Sequence, residues 1–124
     1  MSTVPEARIL LVDDDADIRH IVHRVLSGNE YSVTTCENAS EALSYLEQHS
    51  CDLVISDIRM PGMNGIALVQ EISQKCPGLA IVLIGAYPAD EPDLEAVRQV
   101  VTGFLPKPFA VDELLQLVNQ VLTK

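Results

Sequence analysis

The run Val12 to Asp17 reads VDDDAD and sets four carboxylates directly after the aliphatic Ile9, Leu10 and Leu11. A further acid, Asp57, closes the run LVISD, and Lys107 follows the apolar stretch at Gly103 to Leu105. Two unit charges about 4 Å apart repel by about 4 kcal/mol at an effective dielectric near 20, so carboxylates converging on one place require a cation. Lys107 can supply one positive charge, and a divalent metal two. Ligation by carboxylate oxygen, with no His or Cys nearby, suits Mg²⁺, with Mn²⁺ as the alternative. Asp15 and Asp17 read differently, as residues that cap or complement the first turn of a following helix. A calcium loop is excluded: counted from Asp13, the sixth position would be Ile18 instead of Gly and the twelfth Arg24 instead of Glu.

The elements that must position these groups follow from hydrophobic period. Strand-length aliphatic runs occur at Arg8 to Val12, Tyr31 to Cys36, Leu53 to Ser56, Ala80 to Ile84 and Gly103 to Leu105. Helical spacing lies between them. Ile18, Ile21, Val22, Val25 and Leu26 share one face, with Gly28 at the C-cap position. Asn38 and Glu41 make a capping-box-like start for Ala39 to His49, and Asn64 starts a helix that must stop before Pro77 and Gly78. Asp93 to Val101 and Val111 to Leu122 complete five strand–helix pairs.

This alternation predicts an α/β fold, a doubly wound parallel sheet with five helices on two faces, because parallel strands need crossover connections. Ligands in such sheets sit outside the carboxyl ends of the strands. Asp13 and Asp14, Asp57, Gly85 and Ala86, and Lys107 then become candidates for one shared rim.

Composition sets the outer bounds. The chain of 124 residues is 48% hydrophobic, which predicts one domain over 1–124 with its core at 8–122. Aromatic residues make up 4%, so the core must be aliphatic. A net charge of -10 without a Lys/Arg cluster argues against direct contact with nucleic acid or an anionic membrane. Cys36, Cys51 and Cys76 have no CxxC spacing, which suggests neither a disulfide framework nor a zinc site, and a reducing cytoplasm fits them. No apolar run approaches a membrane span, and Met1 to Glu6 does not resemble a secretory leader.

Three segments, ILLVDDDADIR, DLVISDIRMPGMNG and GFLPKPF, in this order and separation, resemble the receiver domain of two-component response regulators. The likeness runs from about Arg8 to Leu122, and the three motifs together are far more specific than any one. It implies a flavodoxin-like sheet of strand order 2-1-3-4-5. It also implies that Asp57 is the phosphorylation site, a nucleophile taking a phosphoryl group from a phosphohistidine of a sensor kinase or phosphotransfer protein in a phosphorelay. Asp14 and Asp57 would bind Mg²⁺ directly, Asp13 through water, and the carbonyl of Arg59 would complete the set. Lys107 would pair with the phosphoryl oxygens, and its bond to Pro108 would be cis. Pro61, Gly62 and Gly65 read as ordinary turn chemistry after the third strand.

One position departs from the family pattern. Receivers carry Thr-Ala or Ser-Ala after the fourth strand, whereas this chain reads Ile84-Gly85-Ala86 and lacks the hydroxyl. The aromatic partner of that hydroxyl falls at Phe104, which has no phenolic OH and reads equally well as core. The expectation is a phosphoacceptor whose switch is weakened or rewired, with Arg59 and Tyr87 flanking the site and shielding the acyl phosphate. The alternative is a receiver-like module that binds proteins independently of phosphorylation. No enzyme with independent turnover is expected. A haloacid-dehalogenase-like phosphatase would need a second acid two residues after Asp57, where Arg59 stands. A histidine phosphotransfer domain would be a helical bundle, and His20 and His23 read as solvent-facing. With no output domain recognisable after Leu122, the chain reads as a stand-alone receiver or as a piece of a longer regulator or hybrid kinase. Leu94, Val97 and Val101 hint at a contact face, consistent with a monomer or weak dimer.

Overall fold

Alternate residues of each apolar run serve opposite faces of one sheet, and this decides the layering. In the computed structural model, which describes residues 7–60, 62, 64–85 and 99–122, the strands are β1 (Arg8–Val12), β2 (Ser32–Cys36), β3 (Leu53–Asp57), β4 (Ala80–Gly85) and β5 (Gly103–Pro106). All pairings are parallel and the order is β2-β1-β3-β4-β5, as expected. Four helices lie among the described residues: α1 (Ala16–Ser27), α2 (Ala39–Gln48), α3 (Gly65–Lys75) and α4 (Val111–Leu122). Of the helix expected at Asp93 to Val101, residues up to 98 lie outside the described residues, and Gln99 and Val100 form a turn.

Leu10, Val12, Val54, Ile81 and Leu83 face α2 and α3, where they meet Ala39, Ala42, Leu68, Val69 and Ile72. Ile9, Leu11, Leu53, Ile55, Val82 and Ile84 face α1 and α4, against Val22, Leu26, Leu114 and Val118. Burying one such aliphatic side chain contributes about 1.5–3 kcal/mol, so the two clusters hold helices to both sides of the sheet. The interior is aliphatic, as composition required; Phe104 is only partly buried against the α2/α3 side.

Helix starts follow local chemistry. The Asp15 side chain accepts from the Asp17 N–H, Asn38 from Glu41 and Asn64 from Ala67, each satisfying a donor that the first turn leaves unpaired. Glu41 returns a bond to the N–H of Glu37, closing a capping box one residue wider than the usual form. Gly28 is the C-cap of α1 with right-handed backbone (φ -70°), and the left-handed residue of that turn is Glu30 at φ 72°.

Candidate functional site

The parallel register carries the chemistry to one edge. Ile9 pairs with Leu53 and Leu11 is level with Ile55, so continuing that spacing brings Asp13 level with Asp57 at the carboxyl ends of β1 and β3. Asp57 is paired with Ile84, and Gly85 with Pro106, so Lys107 emerges beside them. The Lys107 N–H donates to the Gly85 carbonyl at 3.0 Å, and the Lys107–Pro108 bond is cis.

Lys107 Nζ lies 3.2 Å from Asp13 Oδ2 and 3.3 Å from Asp57 Oδ2, bridging the two acids. Asp13 is fully buried and Asp57 nearly so, whereas Asp14 is exposed. Carboxylate oxygens of Asp13, Asp14 and Asp57 lie within 4.8 Å of one another, the one metal-competent cluster among the described residues. Burial pushes the Asp13 carboxyl above its ordinary range and the Asp57 charge adds to this, against the pull of the Asp15 N–H and of Lys107. Burial alone would lower Lys107, but attraction to Asp13 and Asp57 outweighs it and the ammonium is held more firmly protonated. One lysine therefore faces two acids in a partly desolvated corner, with the third acid at the solvent edge. Three oxygen donors of that type, one of them open to water, fit a hard divalent cation.

Backbone groups complete the setting. The Arg59 N–H lies 3.3 Å from Asp57 Oδ1, while the Arg59 side chain is exposed. The buried Ser56 hydroxyl donates to the Asp57 carbonyl at 2.9 Å. Gly65 does more than ordinary turn chemistry: its N–H donates to Ile58 O at 2.8 Å, and a Cβ there would stand 2.1 Å from the Asp57 carbonyl oxygen. Only glycine lets the start of α3 lie this close to the strand that ends in Asp57. Gly85 has φ +153°, and its missing Cβ would stand 3.1 Å from Asp57 Oδ1.

Among the remaining expected residues, Phe104 lies on β5 level with Leu83. Pro61, Ala86, Tyr87, Leu94 and Val97 lie outside the described residues, and Val101 is half-buried against the α2/α3 side. His20 and His23 are exposed on α1. The three cysteines are free thiols, with Cys36 and Cys51 pushed up to about 11 chiefly by burial. Sequence reasoning missed Arg19, whose Nη1 donates to the Asp13 carbonyl at 2.8 Å. Its signal was a basic residue in the second turn of a helix that starts amid acids.

Comparison with known proteins agrees with this geometry. Residues 9–119 match the family model described as the response regulator receiver domain. Over 115 residues the chain is 38% identical to the DNA-binding transcriptional regulator NtrC of Salmonella typhimurium, covering 93% of this chain and 24% of that protein. The chain thus spans about a quarter of the length of this curated relative. The structure of chemotaxis response regulator CheY4 of Vibrio cholerae superposes with TM-score 0.86 at 31% identity, covering 94% of this chain and 99% of that one. Response regulator TrrA of Thermotoga maritima, solved in complex with Mg²⁺ and BeF, superposes with TM-score 0.84 at 36% identity, covering 94% and 99%. Because the family model matches residues 9–119 and a relative is 38% identical over 93% of the chain, this protein belongs to the response regulator receiver domain family.

Proposed function

We propose that Asp57 accepts a phosphoryl group from a phosphohistidine on a sensor histidine kinase or histidine phosphotransfer protein, and that the resulting acyl phosphate alters protein–protein contacts. The observation that carries this reading is Lys107 bridging Asp13 and Asp57 beside a three-carboxylate cluster at the sheet's carboxyl edge. An Asp57 carboxylate oxygen attacks phosphorus, the P–N bond breaks, and its electron pair returns to the imidazole nitrogen, which takes up a proton. Asp13, Asp14, Asp57 and the Arg59 carbonyl would hold Mg²⁺, or Mn²⁺ in its place. The bound cation supplies positive charge against which the phosphoryl oxygens are neutralised. Lys107, already placed by the Gly85 carbonyl, turns its ammonium from the two acids to the phosphoryl oxygens. Arg59 and Tyr87 would shield the acyl phosphate from water.

Residues 8–122 act as one domain in this reading, and the output is a target protein or a further domain. The domain's charge of -10 disfavours contact with nucleic acid, so we place any such contact of a longer regulator elsewhere. No helix among the described residues is long and apolar enough to cross a membrane, and we propose a cytoplasmic setting and a monomer or weak dimer. A second reading, a module that binds partners without phosphorylation, is favoured by Gly85, where the switching hydroxyl is missing.

Incubation with acetyl phosphate, read by intact mass, separates the two. Gain of one phosphoryl group that requires Mg²⁺ and is lost in Asp57→Asn supports the phosphoacceptor. Absence of any adduct in the wild type moves the assignment to the binding module.

A further inference from the structure

The acid loop after β1 is held by groups other than Lys107. The Asp13 N–H donates to the Cys36 carbonyl at 3.1 Å, and Asp13 Oδ1 accepts the Asp15 N–H at 2.9 Å. Arg19, on α1, donates from Nη1 to the Asp13 carbonyl at 2.8 Å, while its Nη2 lies 3.9 Å from Glu37 Oε2 at the end of β2. Its side chain is 19% exposed, so a planar guanidinium fork is lodged among β1, α1 and the segment after β2. Charge-assisted bonds from such a fork are about twice as strong as neutral ones and fix direction as well as distance.

The carbonyl that Arg19 grips belongs to the peptide joining Asp13 to Asp14, the peptide from which the exposed acid of the cluster hangs. Lys107 reaches the side chains of Asp13 and Asp57, the two buried members. We infer that Arg19 is a positioning residue for the divalent-cation site: it fixes the Asp13–Asp14 peptide so that the Asp14 carboxylate meets those of Asp13 and Asp57. This inference rests on the cation-binding part of the proposed function.

The sign of the effect separates positioning from charge. As a cation, Arg19 repels a divalent ion, so removing it would tighten Mg²⁺ binding if charge were all that mattered. As a positioning residue, its removal loosens the peptide that carries Asp14 and weakens binding. Loss of a group that orients metal ligands costs about 10–100-fold in affinity, and the partly exposed site puts Arg19 near the lower end, about tenfold.

The test is Mg²⁺ titration of the full chain, followed by amide NMR shifts and calorimetry, at a temperature well below each variant's Tm. Wild type, Arg19→Ala, Arg19→Lys, Asp14→Asn and Arg24→Ala are compared. Arg24→Ala loses the same charge from the exposed last turn of α1 and serves as the charge control. The expected result is about tenfold weaker Mg²⁺ binding in Arg19→Ala, partial recovery in Arg19→Lys, and unchanged or slightly tighter binding in Arg24→Ala. Arg19→Lys keeps the charge on a flexible stem, so its shortfall against wild type reads positioning even if Arg19→Ala folds poorly. Arg19→Ala and Arg19→Lys binding Mg²⁺ as tightly as Arg24→Ala would overturn the inference while leaving the cation site standing. Wild type and Asp14→Asn binding equally, or neither binding, would overturn the cation site itself, and the inference with it.

Discussion

Gly85, at the end of β4, lies beside the Asp57 side chain, at the end of β3: a Cβ on Gly85 would stand 3.1 Å from Asp57 Oδ1, tighter than nine in ten Cβ contacts. The same glycine has φ +153°, which L side chains rarely adopt, and its carbonyl holds the Lys107 N–H. Gly85 is therefore more than a lost hydroxyl, because the end of β4 is built around having no side chain there.

Gly85→Thr is accordingly expected to destabilise the protein rather than restore a family-like switch. Backbone strain of this kind costs about 1–3 kcal/mol, whatever room the Asp57 side chain can make for the new Cβ. Chemical unfolding of the two proteins measures it; equal stability would show that β4 adapts freely. In the wild type, a phosphoryl mimic is expected to shift Phe104 ring signals only slightly. Equal, large shifts in wild type and Gly85→Thr would contradict a rewired switch.

Lys107→Ala leaves Asp13 and Asp57 facing each other without their shared ammonium. Phosphorylation from acetyl phosphate should slow by about 10²-fold, the usual cost of losing one donor aimed at developing charge. Mg²⁺ should raise the Tm of this variant more than that of wild type, since the cation then becomes the main relief for the two acids. A rate within a factor of about two of wild type would remove Lys107 from the chemistry.

Asp13 carries a pH signature. Burial first, and then the Asp57 charge, raise its folded-state pKa above the unfolded 3.8. The folded protein therefore binds this proton more readily than the unfolded chain. The resulting stability is present in full below the unfolded value and is lost as pH rises through the folded one. At neutral pH, without metal, Asp13→Asn should raise Tm, and the gain should shrink as pH falls toward 4. Thermal unfolding across this range with a chelator present checks the direction. A Tm lowered by the substitution at neutral pH would show that the Lys107 ion pair outweighs the burial of charge.

What could be read from sequence was what short-range chemistry controls. Caps at Asp15, Asn38 and Asn64 act within two or three residues, and the aliphatic runs at Ile9 to Val12 and Leu53 to Ser56 need only period and length. The shared rim was also legible, because parallel topology brings strand ends together wherever the strands occur in the chain. Features set by contacts between distant elements were not. Asp13 and Asp14 are adjacent and identical in type, yet one is fully buried, tied to the Cys36 carbonyl and to Lys107, and the other exposed. Gly65 read as a turn residue, and its closeness to the Asp57 carbonyl depends on how α3 docks on β3. Arg19 grips a carbonyl six residues away, a bond that no propensity announces.

The central claim is that Asp57 carries an acyl phosphate. Borohydride reduction of the protein after treatment with acetyl phosphate and Mg²⁺ converts an aspartyl phosphate into homoserine, which peptide mass spectrometry places in the chain. Homoserine is expected at position 57 when Mg²⁺ is present and not when it is chelated. Homoserine at another aspartate, or at none, would contradict it.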